Sequence, residues 1–244
     1  MVAMHPFQTE WIELEARDGT RFDAYVARPS DVERAPPLLV FQEIFGVNDH
    51  IQDLVERFAH QGFTAIAPDL FHRTAPRFTA PYADFQPGRD QAARLTLEGL
   101  EADCLALRAW ADGDRRTQGL PMGATGYCMG GRIAFLAHTF LPLACAVTYY
   151  GGQIHTFLDR IPLLKGQHLF LWGGADDMIP FEQRRLIQDA LQEHKRAYMS
   201  VEFGGADHGF FCDQRPTYHP EAAHLAWEMT LRFLKTHLGL LEED

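Results

Sequence analysis

The amino-acid sequence predicts one α/β domain whose mostly parallel sheet is flanked by helices. Short apolar runs alternate with segments of helical periodicity along the whole chain, and no repeat, low-complexity segment or linker interrupts them. This alternation is typical of strand–helix–strand units in which helices cover a parallel sheet. We therefore expect a single domain over residues 1–244, an ordinary length for this class.

Four strands are predicted in the first part of the chain. The first two alternate apolar and polar residues on either side of a turn, so they should form an antiparallel pair at a sheet edge. The third is entirely apolar, as strands buried on both faces of a parallel sheet are. A helix that is capped by Asn48 or Asp49 and ended by Gly62 leads to the fourth. These strands are 11–15, 22–27, 38–41 and 63–67.

The second part of the chain continues the pattern. The proline- and aromatic-rich stretch 69–88 predicts a structured surface loop, and a long helix should follow over 90–111. The segment between residues 150 and 168 has no room for a large helical lid, so we expect a small substrate and a fairly open pocket. Further strands are predicted at 123–127, 144–149, 168–172 and 198–203, and helices at 131–138, 181–194 and 221–237.

Composition and charge argue against several classes of function. The formal net charge of −11 repels phosphate backbones and no run of Lys and Arg offsets it, so we expect no nucleic-acid partner. No apolar run approaches the roughly 20 residues that span a bilayer, and residues 1–7 do not resemble a signal peptide. Four widely spaced cysteines without a C-x-x-C pair predict neither disulfides nor a zinc site. We expect a cytoplasmic enzyme without metal or cofactor.

A glycine-flanked cysteine stands where a predicted strand ends and a helix begins. The hexapeptide Gly-Tyr-Cys-Met-Gly-Gly at 126–131 fits the G-x-S-x-G elbow with Cys128 in place of serine. Bulky neighbours two residues away would collide at such a sharp turn, which explains the glycines. The helix start should favour the thiolate of Cys128, and the Met129 N–H is placed to stabilise an oxyanion. An inert buried cysteine in a glycine-rich turn is the alternative.

An acid and a histidine follow in the order that this elbow requires. Asp176 comes after the strand at 168–172, and His208 after the strand at 198–203. Open α/β sheets place their sites at the carboxyl ends of strands, so the two should meet Cys128 there. His208 would take the proton of Cys128, and Asp176 would orient the imidazole. Asp177 is the near alternative to Asp176 as the orienting acid, although it could instead cap the next helix or turn. Asp207 is a weaker alternative, because an acid adjacent to His208 in sequence is poorly placed to orient its ring.

The chain resembles the dienelactone hydrolase family over nearly its whole length, which implies an α/β-hydrolase fold. The resemblance rests on five segments: 42–48 (Gln-Glu-Ile-Phe-Gly-Val-Asn), 68–71 (Pro-Asp-Leu-Phe), 126–131, 173–176 (Gly-Gly-Ala-Asp) and 207–210 (Asp-His-Gly-Phe). It implies a triad of Cys128, Asp176 and His208, in agreement with the residue-based assignment. The family's founding activity opens an enol-lactone that carries a carboxylate.

The resemblance also implies roles for residues outside the triad. Glu43 would lie beside the nucleophile and disfavour its thiolate by like-charge repulsion, unless it only caps a loop, and the Ile44 N–H would be the second oxyanion donor. The family arginine four residues after the triad histidine is replaced here by Cys212. This replacement puts the family substrate in doubt and leaves the hydrolytic machinery intact. The candidate cations for substrate binding are Arg73, which matches a family arginine, and Arg89. Apart from the resemblance, the open pocket expected without a large lid makes Phe45, Tyr82 and Phe211 candidate pocket walls, alongside Phe85 and Tyr149; each aromatic is equally compatible with ordinary packing.

The sequence thus predicts a hydrolase of small carboxylic esters or lactones, of the carboxymethylenebutenolidase type, that acts through a thiol acyl-enzyme. Its partner would be the small-molecule substrate, with no membrane and with a monomeric or homodimeric state. A peptidase, a redox-sensing thiol protein and a non-catalytic binding module on the same fold are the alternatives. The elbow fold disfavours the first, the lack of a nearby resolving cysteine the second, and the complete triad the third.

Overall fold

The computed structural model describes residues 4–241. The first and last three residues of the predicted 1–244 domain, and with them part of the segment compared with signal peptides, lie outside the described residues. The chain forms two compact units, Met1–Gly123 and Ala124–Asp244. The single-domain assignment stays a prediction, and each unit is described by itself.

The described residues of unit 1 form four strands and three helices. β1 (Phe7–Glu15) pairs antiparallel with β2 (Arg21–Pro29), β2 pairs antiparallel with β4 (Thr64–Pro68), and β4 pairs parallel with β3 (Pro37–Phe41). The predicted antiparallel pair is confirmed, and every residue of β3 and β4 is buried, as apolar runs of a doubly covered sheet should be. The helices are α1 (Asp49–His60), α2 (Gln86–Ala92) and α3 (Leu97–Gly113).

The predicted long helix at 90–111 is wrong in its extent, because the chain forms α2 and α3 there. The break has a local cause at Thr96. Its backbone is extended, with φ −111° and ψ 154°, and its hydroxyl accepts a hydrogen bond from the Gly99 N–H at 3.1 Å. This is an N-cap, so a new helix starts at Leu97. In α1 the cap is Asn48, whose side chain accepts from the Ile51 N–H at 3.2 Å.

Unit 2 alternates strands and helices as the sequence predicts. β6 (Cys145–Tyr149) pairs parallel with β7 (Gln167–Gly173), which pairs parallel with β8 (Tyr198–Phe203). β5 precedes them in the strand order β5-β6-β7-β8. Parallel strands bring their carboxyl ends to one edge, which is where the loops of the candidate site leave the sheet. The remaining elements are β5 (Gly123–Tyr127), α4 (Met129–Phe140), α5 (Phe181–Glu193) and α6 (Pro220–His237).

The segment between β6 and β7 carries a helix that the sequence analysis did not anticipate. A 3₁₀ helix spans Ile154–Leu163, is interrupted at Phe157, and packs against α4 and α5. Its ten residues include Pro162, which weakens any helical pattern in the sequence. Across residues 4–241, the structure contains no helix with the length and hydropathy needed to cross a membrane.

Candidate active site

The elbow around Cys128 has the strained geometry that its glycines suggested. Cys128 links β5 directly to α4 with φ 57° and ψ −117°, a conformation that side-chain-bearing residues rarely adopt. A Cβ at Gly126 would lie 2.0 Å from the Gly130 carbonyl oxygen, so only glycine fits there. Met129 is the first residue of α4, and its N–H therefore has no acceptor within the helix.

The structure brings Cys128, His208 and Asp176 together within unit 2. His208 Nε2 lies 3.0 Å from Cys128 Sγ, and His208 Nδ1 lies 2.8 Å from Asp176 Oδ2. The histidine and the aspartate are buried, with 5% and 4% of their surfaces exposed, whereas Cys128 is half-buried. The imidazole thus bridges a thiol that solvent can reach and a carboxylate that it cannot.

The two other acids considered in the sequence, Asp177 and Asp207, do not contact the imidazole of His208. Besides contacting His208, Asp176 accepts from the Met178 N–H through Oδ1 at 2.9 Å, which fixes its carboxylate. Asp177 is exposed, and it does not cap α5, whose N-cap is Pro180. Asp207 accepts from the backbone N–H of His208 at 2.6 Å, so it fixes the main chain rather than the ring. Of the three acids weighed in the sequence, Asp176 is the one that contacts the imidazole.

The charges of the site favour a cationic imidazole. Burial by itself would lower the pKa of His208. The negative charge and hydrogen bond of Cys128, together with those of Asp176, outweigh burial and raise the pKa of His208 to about 10. The imidazole of His208 is therefore cationic at neutral pH, held between the sulfur of Cys128 and the carboxylate of Asp176.

Two further residues of unit 2 lie at this site and escaped the sequence analysis. The ring of Tyr150 packs edge-on against His208, with 5.2 Å between centroids, and Tyr150 has φ 36° directly after β6. Its place at the carboxyl end of a strand was the available signal. Arg132 lies on the first turn of α4, and its backbone N–H is 3.3 Å from the Cys128 carbonyl oxygen. Its position four residues after the cysteine was the signal here.

Several predicted site residues cluster within unit 1. Phe45 packs against Tyr82 and Phe85, with ring centroids 4.6 and 5.2 Å apart, and the Arg89 guanidinium lies 5.7 Å from the Phe85 ring. Gly88 of α2 approaches the backbone of Ile44 so closely that a Cβ would lie 2.3 Å from the Ile44 carbonyl oxygen. The loop that carries Tyr82 and Phe85, together with α2, therefore fixes the backbone at Ile44 and Phe45. Glu43 precedes Ile44 and is 1% exposed.

Arg73 is held by carboxylates of its own unit. It donates to both oxygens of Asp103, at 2.9 and 2.8 Å, and to Asp18 at 2.7 Å. Asp103 is buried and also contacts His72 Nε2 at 3.2 Å. A bidentate guanidinium–carboxylate pair is a strong structural contact. The structure therefore favours a structural role for Arg73 over the substrate contact suggested by the resemblance.

Phe211 and Tyr149, expected as pocket walls, are buried packing residues. Phe211 is 4% exposed and stacks on Tyr127 with 5.4 Å between centroids, and Tyr149 lies 4.8 Å from it. Ordinary packing, the alternative kept for every aromatic candidate, describes these two. Cys212 is also fully buried, and the Arg215 guanidinium packs against the backbone at Gly209, next to His208.

Comparisons with known proteins identify the family. The model of the dienelactone hydrolase family matches residues 22–238. Carboxymethylenebutenolidases of Pseudomonas putida and of Pseudomonas sp. strain P51 are 34% and 32% identical to the chain; each alignment covers 93% of it, and 96% and 95% of the relative. A solved structure from Klebsiella pneumoniae subsp. pneumoniae, provisionally named a dienelactone hydrolase, matches with TM-score 0.85 and 29% identity over 93% of this chain and 98% of that one. The chain therefore belongs to the dienelactone hydrolase family: it is a hydrolase with an α/β-hydrolase fold, whose mostly parallel sheet is flanked by helices.

Proposed function

We propose that this hydrolase cleaves small carboxylic esters or lactones through an acyl-enzyme on Cys128, with His208 as general base and acid and Asp176 as its orienting partner. The observation that carries this proposal is the position of His208, whose two ring nitrogens lie 3.0 Å from a half-buried thiol and 2.8 Å from a buried carboxylate. The relatives named carboxymethylenebutenolidase support a lactone or ester as the substrate class.

The reaction would proceed in two steps. The Cys128 thiolate attacks the carbonyl carbon, and the tetrahedral oxyanion is stabilised by the Met129 N–H at the start of α4. The C–O bond breaks, the imidazolium of His208 protonates the leaving oxygen, and a thioester remains. A water molecule then gives a proton to His208 and attacks the thioester, which releases the acid and restores the thiolate. This scheme uses no cofactor.

The second oxyanion donor, Ile44, and the modulating carboxylate, Glu43, remain predictions from the family resemblance. Among the pocket candidates, Phe45, Tyr82 and Arg89 form a cluster and are the better candidates for contact with the substrate. Arg73 and Phe211 are the weaker candidates, because their side chains are engaged in structural contacts. The other three cysteines, Cys104, Cys145 and Cys212, are buried, so none offers an exposed resolving thiol for the redox alternative. Free thiols fit a reducing cytoplasm, which we propose as the location.

Hydrolysis of a small panel tests the proposal. Wild type and Cys128→Ala are compared on an aryl acetate, a neutral lactone and a carboxylate-bearing dienelactone. We expect turnover of at least one member by the wild type, its loss in the variant, and an acyl adduct on Cys128 by mass spectrometry after acid quenching. Equal rates in the two proteins, with both folded, would contradict the mechanism.

A further inference from the structure

Cys128 and Arg132 share the opening above the elbow. From Met122 to His138 every residue is buried except these two, which are half-buried. Cys128 is the N-cap of α4, and the Arg132 N–H lies 3.3 Å from its carbonyl oxygen, one turn into the helix. The charge of Cys128 acts on the Arg132 guanidinium, so the two side chains are neighbours. The part of the elbow that solvent can reach therefore presents a thiol and a guanidinium together.

The charge of Arg132 is not neutralised by an acidic side chain. Its Nη1 donates to the neutral amide oxygen of Gln153, and no carboxylate within the described part of the chain forms an ion pair with it. Burial lowers the pKa of Arg132, and the one opposing influence is the negative charge of Cys128. A half-buried cation without a counter-charge attracts an anion more strongly than one that is solvated or paired.

The backbone fixes the position of this guanidinium. Gln153 adopts a left-handed conformation with φ 65° at the start of the 3₁₀ helix Ile154–Leu163. The loop that carries it packs on the first turn of α4, since a Cβ at Gly151 would lie 2.9 Å from the Arg132 backbone nitrogen. The loop begins at Tyr150, whose ring contacts His208. Arg132 is thus held beside the reacting groups.

We propose that Arg132 is a specificity-determining residue that draws negatively charged reactants to the Cys128 sulfur. Resting on the proposed function, the inference extends to substrates: among small esters and lactones, those that carry a carboxylate near the reacting carbonyl are preferred. Cys212, where the family resemblance places an arginine, is a buried thiol and cannot supply this attraction. Arg132 is a cation of the elbow itself.

Alkylation of Cys128 measures this attraction without turnover. Iodoacetate and iodoacetamide both react by displacement, in which the thiolate forms an S–C bond and iodide leaves with the electrons of the C–I bond. They differ in one negative charge. Because both consume the same thiolate, the ratio of their second-order rate constants cancels its abundance and reports the local potential. Cys128 is the one cysteine that is not buried, and mass spectrometry verifies the site.

Four variants separate Arg132 from other effects. Arg132→Gln should lower the iodoacetate/iodoacetamide ratio about three- to tenfold, and Arg132→Lys should retain most of it, because one nearby charge contributes about 1 kcal/mol. Gln153→Glu gives Arg132 a counter-charge at an exposed position and should lower the ratio even if Arg132→Gln folds poorly. Arg185→Gln removes an exposed arginine of α5 and is the matched control with an unchanged ratio.

The proposal is overturned if the ratio in folded Arg132→Gln and in Gln153→Glu stays within twofold of wild type. It is also overturned if Arg215→Gln lowers the ratio while Arg132→Gln does not, because the attraction then belongs to the other cation. Salt at 0.5 M should reduce the wild-type ratio, as charge screening requires.

Hydrolysis of two aryl esters of equal acyl length, with a terminal carboxylate or a methyl group, extends the test to substrates. We expect Arg132→Gln to lower kcat/KM for the anionic ester more than for the neutral one. If neither ester is hydrolysed while the alkylation ratio falls as expected, the proposed function fails and the anion attraction stands. If both esters are hydrolysed and the alkylation ratio does not change in Arg132→Gln, the proposed function stands and the anion attraction by Arg132 fails.

Discussion

His138 and His168 share a buried hydrogen bond, with 3.1 Å between their Nδ1 atoms. One set of tautomers satisfies their whole network: the Gly166 N–H donates to His138, His138 to His168, His168 to the Thr148 hydroxyl, and this hydroxyl to the Gly131 carbonyl oxygen. Both rings are then neutral, and this series of hydrogen bonds ends at Gly131, the last glycine of the elbow motif. A proton added to either ring would remove an acceptor that this network needs.

This network predicts acid-sensitive stability. Burial lowers the pKa of His138 to about 4 and that of His168 well below its usual 6.5. The unfolded chain therefore binds more protons, and the free energy of unfolding should fall as the pH drops from about 6.5 towards 4, by up to about 3 kcal/mol for His138. Urea unfolding at several pH values measures this slope. His138→Gln should make the free energy of unfolding less dependent on pH in this range. His224→Gln, at an exposed position of α6, should leave the dependence unchanged. Equal slopes in wild type and His138→Gln would contradict the role of the pair.

The contact between Asp176 and His208 predicts a large effect of a small change. Asp176→Asn removes the charge that stabilises the imidazolium and allows the wrong tautomer, so kcat should fall about 10²- to 10⁴-fold. Asp177→Asn alters an exposed acid that does not contact the ring and should stay within about twofold of wild type. Steady-state hydrolysis of an aryl acetate measures both. A larger loss in Asp177→Asn would mean that the acids exchange roles.

The backbone of Cys128 predicts an unusual order of stability. Its φ of 57° is unfavourable for any residue with a Cβ, at a cost of about 1–3 kcal/mol. Cys128→Ala should keep the melting temperature within a few degrees of wild type. Cys128→Gly should be as stable as Cys128→Ala, or more stable by up to about 1 kcal/mol, although glycine is normally the less stable choice. Thr125→Ala and Thr125→Gly, in extended β5, should show the normal order. Loss of more than 1 kcal/mol from alanine to glycine at position 128 would argue against strain.

The close approach at Gly126 predicts that even a methyl group is not tolerated. Gly126→Ala would place a Cβ 2.0 Å from the Gly130 carbonyl oxygen, and backbone at the start of α4 must move to relieve this contact. We expect a loss of about 2–3 kcal/mol and of hydrolytic activity. Gly152→Ala is the matched control, because the nearest atom to its Cβ would be Ile179 Cγ1 at 4.0 Å. Thermal unfolding and ester hydrolysis report both; a stable, active Gly126→Ala protein would show that the turn can relax.

The sequence alone predicted the order of the strands and most of the helices, and it selected the three residues that meet at the candidate site. Patterns within a few residues carry this information: apolar runs predict β3 and β4, and the glycines around Cys128 reflect a local clash. Asp176 and His208 could be selected because parallel strands bring their carboxyl ends to one edge, whatever the details of packing. The break between α2 and α3 was also local, at the Thr96 cap, but the apolar spacing on both sides concealed it.

Tertiary structure alone decided which side chains meet. Arg73 looks like a free cation in the sequence, and only the fold brings Asp103 and Asp18 to it from distant positions. Phe211 reads equally well as a pocket wall or as core, because aromatic identity does not specify which face is covered. Tyr150 and the His138–His168 pair owe their surroundings to contacts between separate strands and helices. Residue spacing predicts local geometry and strand ends, whereas burial and the pairing of charges depend on neighbours that are remote in the chain.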